Sequence, residues 1–476
     1  MTNNTDKNCH CRADRGGCEN GHRFYAEKVR NELIGGKNKK AYVLTFGCQQ
    51  NEADSEKLSG MATDMGYSIT DAPEEADLIV VNTCAIREHA EQKALSTVGQ
   101  FKHLKEKNPE LVIAVCGCMV AQEHRQNDIK FRYPYVSFIF GTTALDKFPE
   151  LLYKHITLKK RLYYNEEASP TVAEGITINR SHGYKAWVSV MYGCNNFCSY
   201  CIVPYVRGRE RSRKMEDVYA EFVELVNKGY KDITLLGQNV NSYGKDSGFD
   251  YDFADLLEKL ASVEGDYVIR FMTSHPKDAT KKLIDVMAKS PRIAKHFHLP
   301  MQAGSDRILK AMNRKYDTEK YYSIVEYIRE KMPDCVITSD IIVGFPGESE
   351  EDFEGTLSML SGVKFDMLYS FIYSPRKGTR AAEMEEQIPK EIQGERFNRL
   401  LALQNAIALE KNLPMVDSTV RVLCDGESKN NAELYSGRTE GNKIVFFEGE
   451  PSMIGEFVNV KIERAEAFAL YGTVTK

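Results

Sequence analysis

The chain has 476 residues, and its 42% hydrophobic and 28% charged content is typical of a globular protein of about three domains. This balance excludes a disordered chain, a collagen and a coiled-coil rod. The formal net charge of −5 excludes a strongly basic global field, so any contact with nucleic acid has to come from local patches.

The sequence contains neither a run of about 18 apolar residues nor an apolar region typical of a secretory signal near its start. We therefore expect a cytoplasmic protein without a membrane span, in which the twelve cysteines are reduced. Cysteines that are grouped in short motifs in such a compartment favour metal or cluster ligation over disulfides.

Residues 1–37 are polar and contain two Gly-Gly pairs, which predicts a flexible N-terminal extension. The alternative is a weak, adventitious zinc site at Cys9, Cys11 and Cys18, because cysteine is a ligand that zinc takes. We assign these cysteines no role.

Strands alternate with helices over residues 38–165, the predicted N-terminal domain. Apolar strands are predicted at 41–46, 78–83, 111–117 and 136–141, with helices at 51–67 and 87–106. This alternation predicts an α/β domain with a doubly wound parallel sheet.

A polar segment at 166–183 predicts a linker, and a second α/β domain follows at 184–411. Its predicted strands are 186–192, 232–237, 267–274, 296–301, 336–345 and 366–373, followed by a long helix at 390–411. Six such units predict a partial (β/α)6 barrel. Residues 412–476 carry five short strands and predict a small C-terminal β-barrel, similar to the OB type that often binds nucleic acid.

The strongest chemical signal is a CxxxCxxC motif, formed by Cys194, Cys198 and Cys201, directly after the first barrel strand. Three thiolates on one loop can bind three irons of a 4Fe-4S cluster and leave the fourth iron open to an outside molecule. Zinc is the alternative, but it needs a fourth ligand, and no further Cys or His is near in sequence. Catalytic groups of such barrels lie at the C-terminal ends of strands, which favours a catalytic cluster.

Three more cysteines, Cys48, Cys84 and Cys118, stand just past the C-terminal ends of predicted strands of the first sheet. Ligands gather in the crevice outside those ends, so these three thiols can converge. Each cysteine alone could be a small buried hydrophobe, but three equivalent positions favour a shared site. Cys116 competes with Cys118, and we predict that it packs inside its strand.

These motifs resemble those of the radical S-adenosylmethionine (SAM) methylthiotransferases. GCQQNEADSE (47–56), NTCAIREHAEQK (82–93) and GCMVAQE (117–123) are similar to the N-terminal domain of that family, with GCQQN departing slightly from the usual GCQMN. CIVPYVRGRERSR (201–213), LPMQAGSDRIL (299–309), DIIVGFPGESEEDF (340–353) and YSPRKGTRAA (373–382) match the same family. The resemblance runs from about residue 38 to the end, and it implies a radical SAM domain at 184–411 and a TRAM domain at 412–476.

The resemblance implies an enzyme that methylthiolates C2 of N6-isopentenyladenosine at position 37 of tRNA, using two SAM molecules. It implies two 4Fe-4S clusters: Cys194, Cys198 and Cys201 would bind the one that cleaves SAM, and Cys48, Cys84 and Cys118 the one that carries sulfur. A 5′-deoxyadenosyl radical suits this step because acids and bases do not readily ionise such a C–H bond. No catalytic residue is predicted beyond the cluster ligands.

The resemblance also implies a SAM site and an RNA surface. SAM would contact Tyr200, Gly237, Gln238, Gly344, Pro346 and Gly347, although each glycine also suits an ordinary strand-end turn. The densest basic cluster, Arg207, Arg209, Arg211, Arg213 and Lys214, predicts either phosphate contacts or a solvated charge run. Acidic residues outnumber basic ones in the C-terminal barrel, so RNA binding there would depend on Lys429, Arg438 and Lys443 with Phe446 and Phe447.

We expect a monomer that binds the anticodon arm of an isopentenylated tRNA and receives electrons from a reductant such as flavodoxin or ferredoxin. Within the enzyme class, the alternatives are methylthiolation of threonylcarbamoyladenosine in tRNA or of a ribosomal protein. The alternative from another class is a non-catalytic iron–sulfur or zinc RNA-binding protein. The position of the CxxxCxxC motif in the barrel argues against that last interpretation.

Overall fold

The computed structural model describes residues 21–475 except 87, 165–171, 247, 429–430 and 432. The chain forms two compact units, Met1–Ser181 with Tyr205–Arg207, and His182–Pro204 with Gly208–Lys476. Among the described residues, no helix is both long enough and apolar enough to cross a membrane.

The first unit contains one six-stranded parallel sheet flanked by helices. Its strands are β1 (Lys39–Thr45), β2 (Tyr67–Ile69), β3 (Leu78–Thr83), β4 (Val112–Gly117), β5 (Phe138–Phe140) and β6 (Leu162–Tyr164). Its helices are α1 (Gly21–Lys28), α2 (Gln49–Asp64), α3 (Glu88–Gln100), α4 (Lys102–Lys107), α5 (Glu123–Arg132) and α6 (Phe148–Leu158). The strand order is β2-β1-β3-β4-β5-β6, which confirms the predicted parallel α/β sheet.

Helices cover both faces of this sheet, which explains why its central strands are apolar throughout. Every residue of β3 and of β4 is buried. Val80 and Ala114 pack into one core cluster, and Val81 and Val115 pack into a second one. Continuous apolar runs of this kind are typical of parallel strands buried on both sides.

The prediction of a flexible extension over 1–37 is revised for its second half. Helix α1 continues into a π-type turn at Val29–Ile34, and Ala26, Val29 and Ile34 are buried in the core of the first unit. Residues 1–20, with Cys9, Cys11 and Cys18, lie outside the described residues.

The second unit contains a partial β/α barrel. Its strands are β7 (Lys185–Ser189), β8 (Met191–Tyr192), β9 (Arg211–Ser212), β10 (Asp232–Leu236), β11 (Val268–Phe271), β12 (His296–His298), β13 (Val336–Val343) and β14 (Met367–Ile372). The helices from here on are α7 (Val203–Arg207), α8 (Met215–Asn227), α9 (Phe253–Ala261), α10 (Lys281–Lys289), α11 (Asp306–Ala311), α12 (Thr318–Lys331), α13 (Glu350–Val363) and α14 (Lys390–Asn412).

Six parallel strands of this unit form the barrel wall. Strands β7, β10 and β11 pair in one sheet, and β12, β13 and β14 pair in another. A parallel bridge between Ile269 and Ile293 lies where the two sheets meet. The predicted (β/α)6 barrel is confirmed, with β8 and β9 forming a small antiparallel pair beside it.

Five antiparallel and parallel strands close the small C-terminal barrel. They are β15 (Thr419–Glu427), β16 (Tyr435–Thr439), β17 (Ile444–Phe447), β18 (Phe457–Ala465) and β19 (Leu470–Thr475). Their order is β15-β16-β17-β19-β18, and β18 pairs with β15 to complete the circle. This confirms the predicted five-stranded barrel.

Candidate active site

The strand-end cysteines of the first unit lie on adjacent loops. Cys48 directly precedes α2, Cys84 follows β3 and Cys118 follows β4. Gly47 has φ +128°, and a Cβ atom there would lie 2.7 Å from the Cβ of Cys84. Only glycine allows this approach, which brings the loops of Cys48 and Cys84 into contact.

Asn51, in the first turn of α2, holds these loops in place. Its Nδ2 donates to the carbonyl oxygen of Phe46 at 2.7 Å and to that of Thr83 at 3.0 Å. The backbone N–H of Cys118 donates to the same Thr83 oxygen at 2.9 Å. The asparagine that ends the GCQQN motif therefore bridges the strand ends that precede Cys48, Cys84 and Cys118.

Cys118 lies near the other two thiols and near a cation. Burial raises the pKa of Cys118 to about 12, the Arg207 guanidinium opposes that rise, and the Cys84 and Cys48 thiols add to it. Arg207 is itself buried and donates to Asn51 Oδ1 at 2.6 Å and to Asp54 Oδ2 at 3.0 Å. A fixed cation thus lies beside the thiols of the first unit.

The barrel cysteines, Cys194, Cys198 and Cys201, share the loop between β8 and α7. Backbone hydrogen bonds fix this loop: Cys194 N–H donates to Gly208 at 3.1 Å, and Ser199 N–H donates to Met312 at 3.0 Å. Asn313 Nδ2 donates to the carbonyl of Phe197, at 2.9 Å. Phe197 has φ +47°, a conformation that this bond helps to maintain.

Burial holds two of the barrel thiols in the protonated form. It raises the pKa of Cys194 to about 11 and that of Cys201 to about 12. Arg314 NH1 donates to Cys198 Sγ at 3.3 Å. Thiolates are the form that binds metal, so ligation here releases protons.

In the part of the chain that the structure describes, no three His, Cys, Asp or Glu side chains converge as ligands of a single metal ion. Each thiolate of a 4Fe-4S cluster binds a different iron, so such convergence is not required of these sites. Three cysteine thiols are the donor set that iron–sulfur clusters take, and both triads fit that group.

Buried polar atoms without a hydrogen-bond partner gather at the C-terminal ends of the barrel strands. Among the described residues they include Asn239 Oδ1 after β10, Ser274 Oγ and His275 Nε2 after β11, and Asn196 Oδ1 in the cysteine loop. Such atoms are costly unless a ligand or water satisfies them. These residues were not identified from the sequence, although they follow barrel strands just as the cysteines do.

The residues that were predicted to contact SAM in the first barrel loops differ in their packing and hydrogen bonds. Gln238 Oε1 accepts from Gly193 N–H at 2.5 Å, so Gln238 supports the cysteine loop. A Cβ atom at Gly237 would lie 2.6 Å from Met191 Cγ. The side chain of Tyr200 is partly exposed, but desolvation still raises the pKa of its phenol well above the usual value.

The loop conformation after β13 explains why glycines occur at the positions that were predicted to contact SAM. Gly344 and Gly347 have φ +73° and +77°, which favour glycine in any loop. The side chain of Gln393 fills the space beside Gly344, and that of Glu386 fills the space beside Gly347. The intervening Pro346 is buried.

Burial divides the basic cluster that follows Cys201. Arg207 and Arg213 are buried and pair with Asp54 and Glu221 at 3.0 and 2.7 Å. Arg209 and Lys214 are exposed, and Arg211 is partly exposed. This revises the expectation of phosphate contact for Arg207 and Arg213, because their charges are engaged inside the fold.

The C-terminal residues predicted to bind RNA also differ from one another. Lys429 lies outside the described residues. Lys443 Nζ donates to Asp366 Oδ1 at 2.8 Å and to Asn412 Oδ1 at 2.7 Å, which gives it partners within the second unit. Arg438 donates to Asn442 and keeps about a third of its side chain exposed.

Of the two predicted aromatic residues, Phe447 is buried in the small barrel and Phe446 is partly exposed. The ring of Phe446 lies 5.4 Å from that of Tyr471, and the Arg464 guanidinium covers Tyr471 at 3.7 Å. This pair of rings with its cation was not identified from the sequence.

A cavity of about 230 Å³ lies at the N-terminal ends of β13 and β14, where Asp366, Arg438 and Lys443 contribute to its wall. The cysteine loop lies at the opposite ends of the barrel strands. We therefore do not assign this cavity to the active site.

Three regions of the chain match models of known protein families. Residues 188–360 match the radical SAM superfamily, residues 40–141 match the uncharacterized protein family UPF0004, and residues 414–475 match the TRAM domain. These regions contain the barrel triad, the strand-end triad and the small barrel, respectively.

Solved structures share the fold over most of the chain. The radical S-adenosylmethionine methyltransferase TsrM from Kitasatospora setae, with cobalamin and a [4Fe-4S] cluster bound, has a TM-score of 0.55 at 12% identity, covering 72% of this chain and 77% of that one. The same methyltransferase with tryptophan and a SAM analogue bound has a TM-score of 0.52 at 12% identity, over 70% and 73% of the two chains.

Curated relatives extend over nearly the whole chain, and each of the following is named tRNA-2-methylthio-N(6)-dimethylallyladenosine synthase. The protein of Acetivibrio thermocellus is 51% identical over 94% of this chain and 93% of its own length. That of Caldicellulosiruptor saccharolyticus is 51% identical over 94% and 95%, and that of Clostridium beijerinckii is 48% identical over 95% and 100%. With about half of its residues shared from end to end, the chain belongs to the family of tRNA-2-methylthio-N(6)-dimethylallyladenosine synthases, the MiaB branch of the radical SAM methylthiotransferases.

Proposed function

We propose that this enzyme attaches a methylthio group to C2 of N6-isopentenyladenosine at position 37 of tRNA. The observation that carries the proposal is the presence of two separate thiol triads, each at the C-terminal ends of parallel strands, in a chain about half identical to synthases of that name. One site suits radical generation and the other suits sulfur transfer, and the reaction needs both.

The barrel triad would hold the cluster that binds SAM. When bound to these three thiols, a 4Fe-4S cluster would supply the one-electron cleavage of SAM that radical chemistry at C2 requires. The chain's own contribution is to hold the three thiols on one rigid loop and to offer unpaired polar atoms nearby. Asn239, Ser274 and His275 would donate to, or accept from, the polar groups of SAM.

The strand-end triad, Cys48, Cys84 and Cys118, would hold the second cluster, which carries the sulfur. Asn51 fixes the loops of this site, and the buried cation of Arg207 offsets the negative charge of the thiolates. Two such clusters correspond to about eight irons per chain. Iron and sulfide analysis of the anaerobically reconstituted protein tests this count, which would be about four if one triad were only structural.

The tRNA would be held by local groups, since the net charge of the chain is negative. Arg209, Arg211 and Lys214 are the accessible members of the basic cluster and would contact the backbone of the anticodon arm. On the small barrel, the rings of Phe446 and Tyr471 with Arg464 form a surface of the kind on which unpaired bases stack.

We further propose a monomer of three domains that acts in the cytoplasm, with domain boundaries at about residues 184 and 412. The first domain includes helix α1 and the turn after it, because Ala26, Val29 and Ile34 pack in its core. Its electrons would come from a small one-electron donor such as flavodoxin or ferredoxin, because cluster reduction takes one electron at a time.

Mass spectrometry of tRNA nucleosides from cells that lack this protein tests the proposal. We expect N6-isopentenyladenosine to accumulate while its 2-methylthio derivative disappears, and the wild-type gene should restore the derivative. Loss of methylthiolated threonylcarbamoyladenosine, or of a ribosomal-protein modification, with intact 2-methylthio-isopentenyladenosine would contradict the proposed substrate.

A further inference from the structure

The described part of the chain contains five buried arginines: Arg207, Arg213, Arg270, Arg314 and Arg396. Four of them pair with a carboxylate, respectively Asp54, Glu221, Asp232 and Glu348, at distances of 2.7–3.0 Å. Within the described residues, Arg314 forms no ion pair with a carboxylate. A buried cation without an anionic partner is costly, so its position calls for a negative charge that the protein carboxylates do not supply.

The guanidinium of Arg314 is held in one orientation. Its NH1 donates to Cys198 Sγ at 3.3 Å, its NH2 donates to the carbonyl of Pro300 at 3.0 Å, and its Nε donates to the hydroxyl of Tyr316 at 3.1 Å. Tyr316 in turn donates to the carbonyl of Met301 at 2.6 Å. The hydrogen bond to the sulfur is therefore part of a fixed arrangement.

The contacts of Arg314 leave one candidate for the missing anion. Pro300 offers a neutral carbonyl oxygen, and the Tyr316 hydroxyl keeps its proton because it donates to the Met301 carbonyl. The third contact is Cys198 Sγ, the one among these three that ligation of a cluster would make anionic.

We propose that Arg314 is a positioning residue for the barrel cluster, where its guanidinium donates to the cluster-bound thiolate of Cys198 and raises the reduction potential of the cluster. This inference rests on the proposed ligation by Cys194, Cys198 and Cys201. Three thiolates on an oxidised 4Fe-4S core of charge two plus leave one negative charge, and one electron from an external low-potential donor makes it two. A fixed cation stabilises the doubly negative state more than the singly negative one, since the attraction grows with the charge.

Reduction titrations of one isolated cluster test this role. We would use the full chain with Cys48→Ala, Cys84→Ala and Cys118→Ala, so that only the barrel cluster is followed by electron paramagnetic resonance, with dithionite as reductant and without SAM. In this background Arg314→Gln removes the charge and Arg314→Lys keeps it. Lys315→Gln is the matched control, because Lys315 is exposed, follows Arg314 in the chain and donates to Asn313, which holds the same cysteine loop.

Arg314→Gln should lower the equilibrium constant for reduction about tenfold, which is about 59 mV for one electron. Arg314→Lys should lower it by less, because the charge remains without the planar fork that reaches Pro300 and Cys198 together. Lys315→Gln should change it by less than about twofold, because solvent screens that exposed charge.

Several results would overturn the inference. One is a wild-type reduction potential in Arg314→Gln. If a separate SAM titration of that variant also shows weaker binding, the guanidinium is assigned to the SAM carboxylate instead. Another is loss of the cluster from both Arg314 variants while the circular dichroism spectrum is unchanged, because the lysine variant retains the charge. Loss of the cluster from the glutamine variant alone supports the inference. If the parent background binds no iron, the proposed ligation itself has failed, and that result is read before any variant is compared.

Discussion

Individual side chains of the same type have different surroundings here. Cys116 and Cys118 are two residues apart, yet Cys116 lies inside β4 in an apolar core while Cys118 stands at its end beside Arg207. In RGRERSR, Arg207 and Arg213 are buried in ion pairs, whereas Arg209 and Arg211 between them are exposed or partly exposed. The position relative to the end of β4 predicted that Cys116 packs inside the strand. The sequence of the basic cluster did not predict which of its arginines are buried.

Substitution of one cysteine in each triad should separate two activities. Cys198→Ala should abolish reductive cleavage of SAM, because the cluster with the open iron is lost. Cys48→Ala should leave that cleavage measurable and stop methylthiolation. Quantifying 5′-deoxyadenosine and the modified nucleoside in the same reaction checks both expectations.

Cys116→Ala is the matched control for these variants, because it removes a neighbouring thiol that lies in the core. It should keep the wild-type iron content and both products. Methylthiolation by Cys48→Ala, or loss of a cluster from Cys116→Ala, would show that the sulfur-carrying site has been assigned to the wrong thiols.

Lys214→Ala should weaken tRNA binding and reduce its salt slope by about one, as expected when one phosphate contact is lost. Lys214 is exposed at the N-terminal end of α8, shortly after β9. Binding titrations at several salt concentrations measure both quantities. Lys228→Ala is the control and should have no effect, because Lys228 is an exposed lysine at the other end of α8. Equal salt slopes for the wild type and both variants would show that Lys214 is not part of the RNA surface.

At the scale of elements, the sequence predicted the long strands and helices well and missed the short or weakly patterned ones. Strands β2 and β6 have three residues each and are mostly exposed or partly exposed, whereas the equally short β5 is apolar and fully buried and was predicted. Helix α1 was missed because polar residues surround its small apolar stripe, Ala26, Val29 and Ile34. The unpaired polar atoms at Asn239 and Ser274 follow from packing in three dimensions, which no local pattern contains.

The N-terminal helical segment should contribute to the stability of the first unit. Ile34→Ala should lower the free energy of unfolding by about 2–4 kcal/mol, because Ile34 is 3% exposed and packs in the core. Phe24→Ala, on the same segment but 53% exposed, should change it by no more than about 0.5 kcal/mol. Chemical denaturation measures both values, and equal effects would mean that this segment does not pack as described.

At the scale of the whole molecule, the small barrel and the β/α barrel belong to one compact unit. Arg270 of β11 donates to the carbonyls of Glu440 and Thr439, at 2.7 and 2.9 Å, and Lys443 pairs with Asp366 before β14. Deleting residues 413–476 would therefore expose or orphan buried charges of the barrel. Point substitutions separate a role in stability from a role in RNA binding more cleanly than truncation does.

Lys443→Ala should destabilise the chain by about 3 kcal/mol, because it leaves the buried carboxylate of Asp366 without a cation. Asp366→Asn added to this variant should restore part of the loss. Thermal unfolding of the full chain reports the effect, with Lys461→Ala, an exposed lysine of β18, as the control. Unchanged stability with weakened tRNA binding would instead assign Lys443 to the RNA surface.

Incubation of the purified, anaerobically reconstituted chain with isopentenylated tRNA, SAM and a low-potential reductant tests the central claim most directly. Mass spectrometry of the digested tRNA should detect 2-methylthio-N6-isopentenyladenosine, together with 5′-deoxyadenosine in the same sample. Formation of 5′-deoxyadenosine with the isopentenyladenosine unchanged, in protein that holds both clusters, would contradict the account.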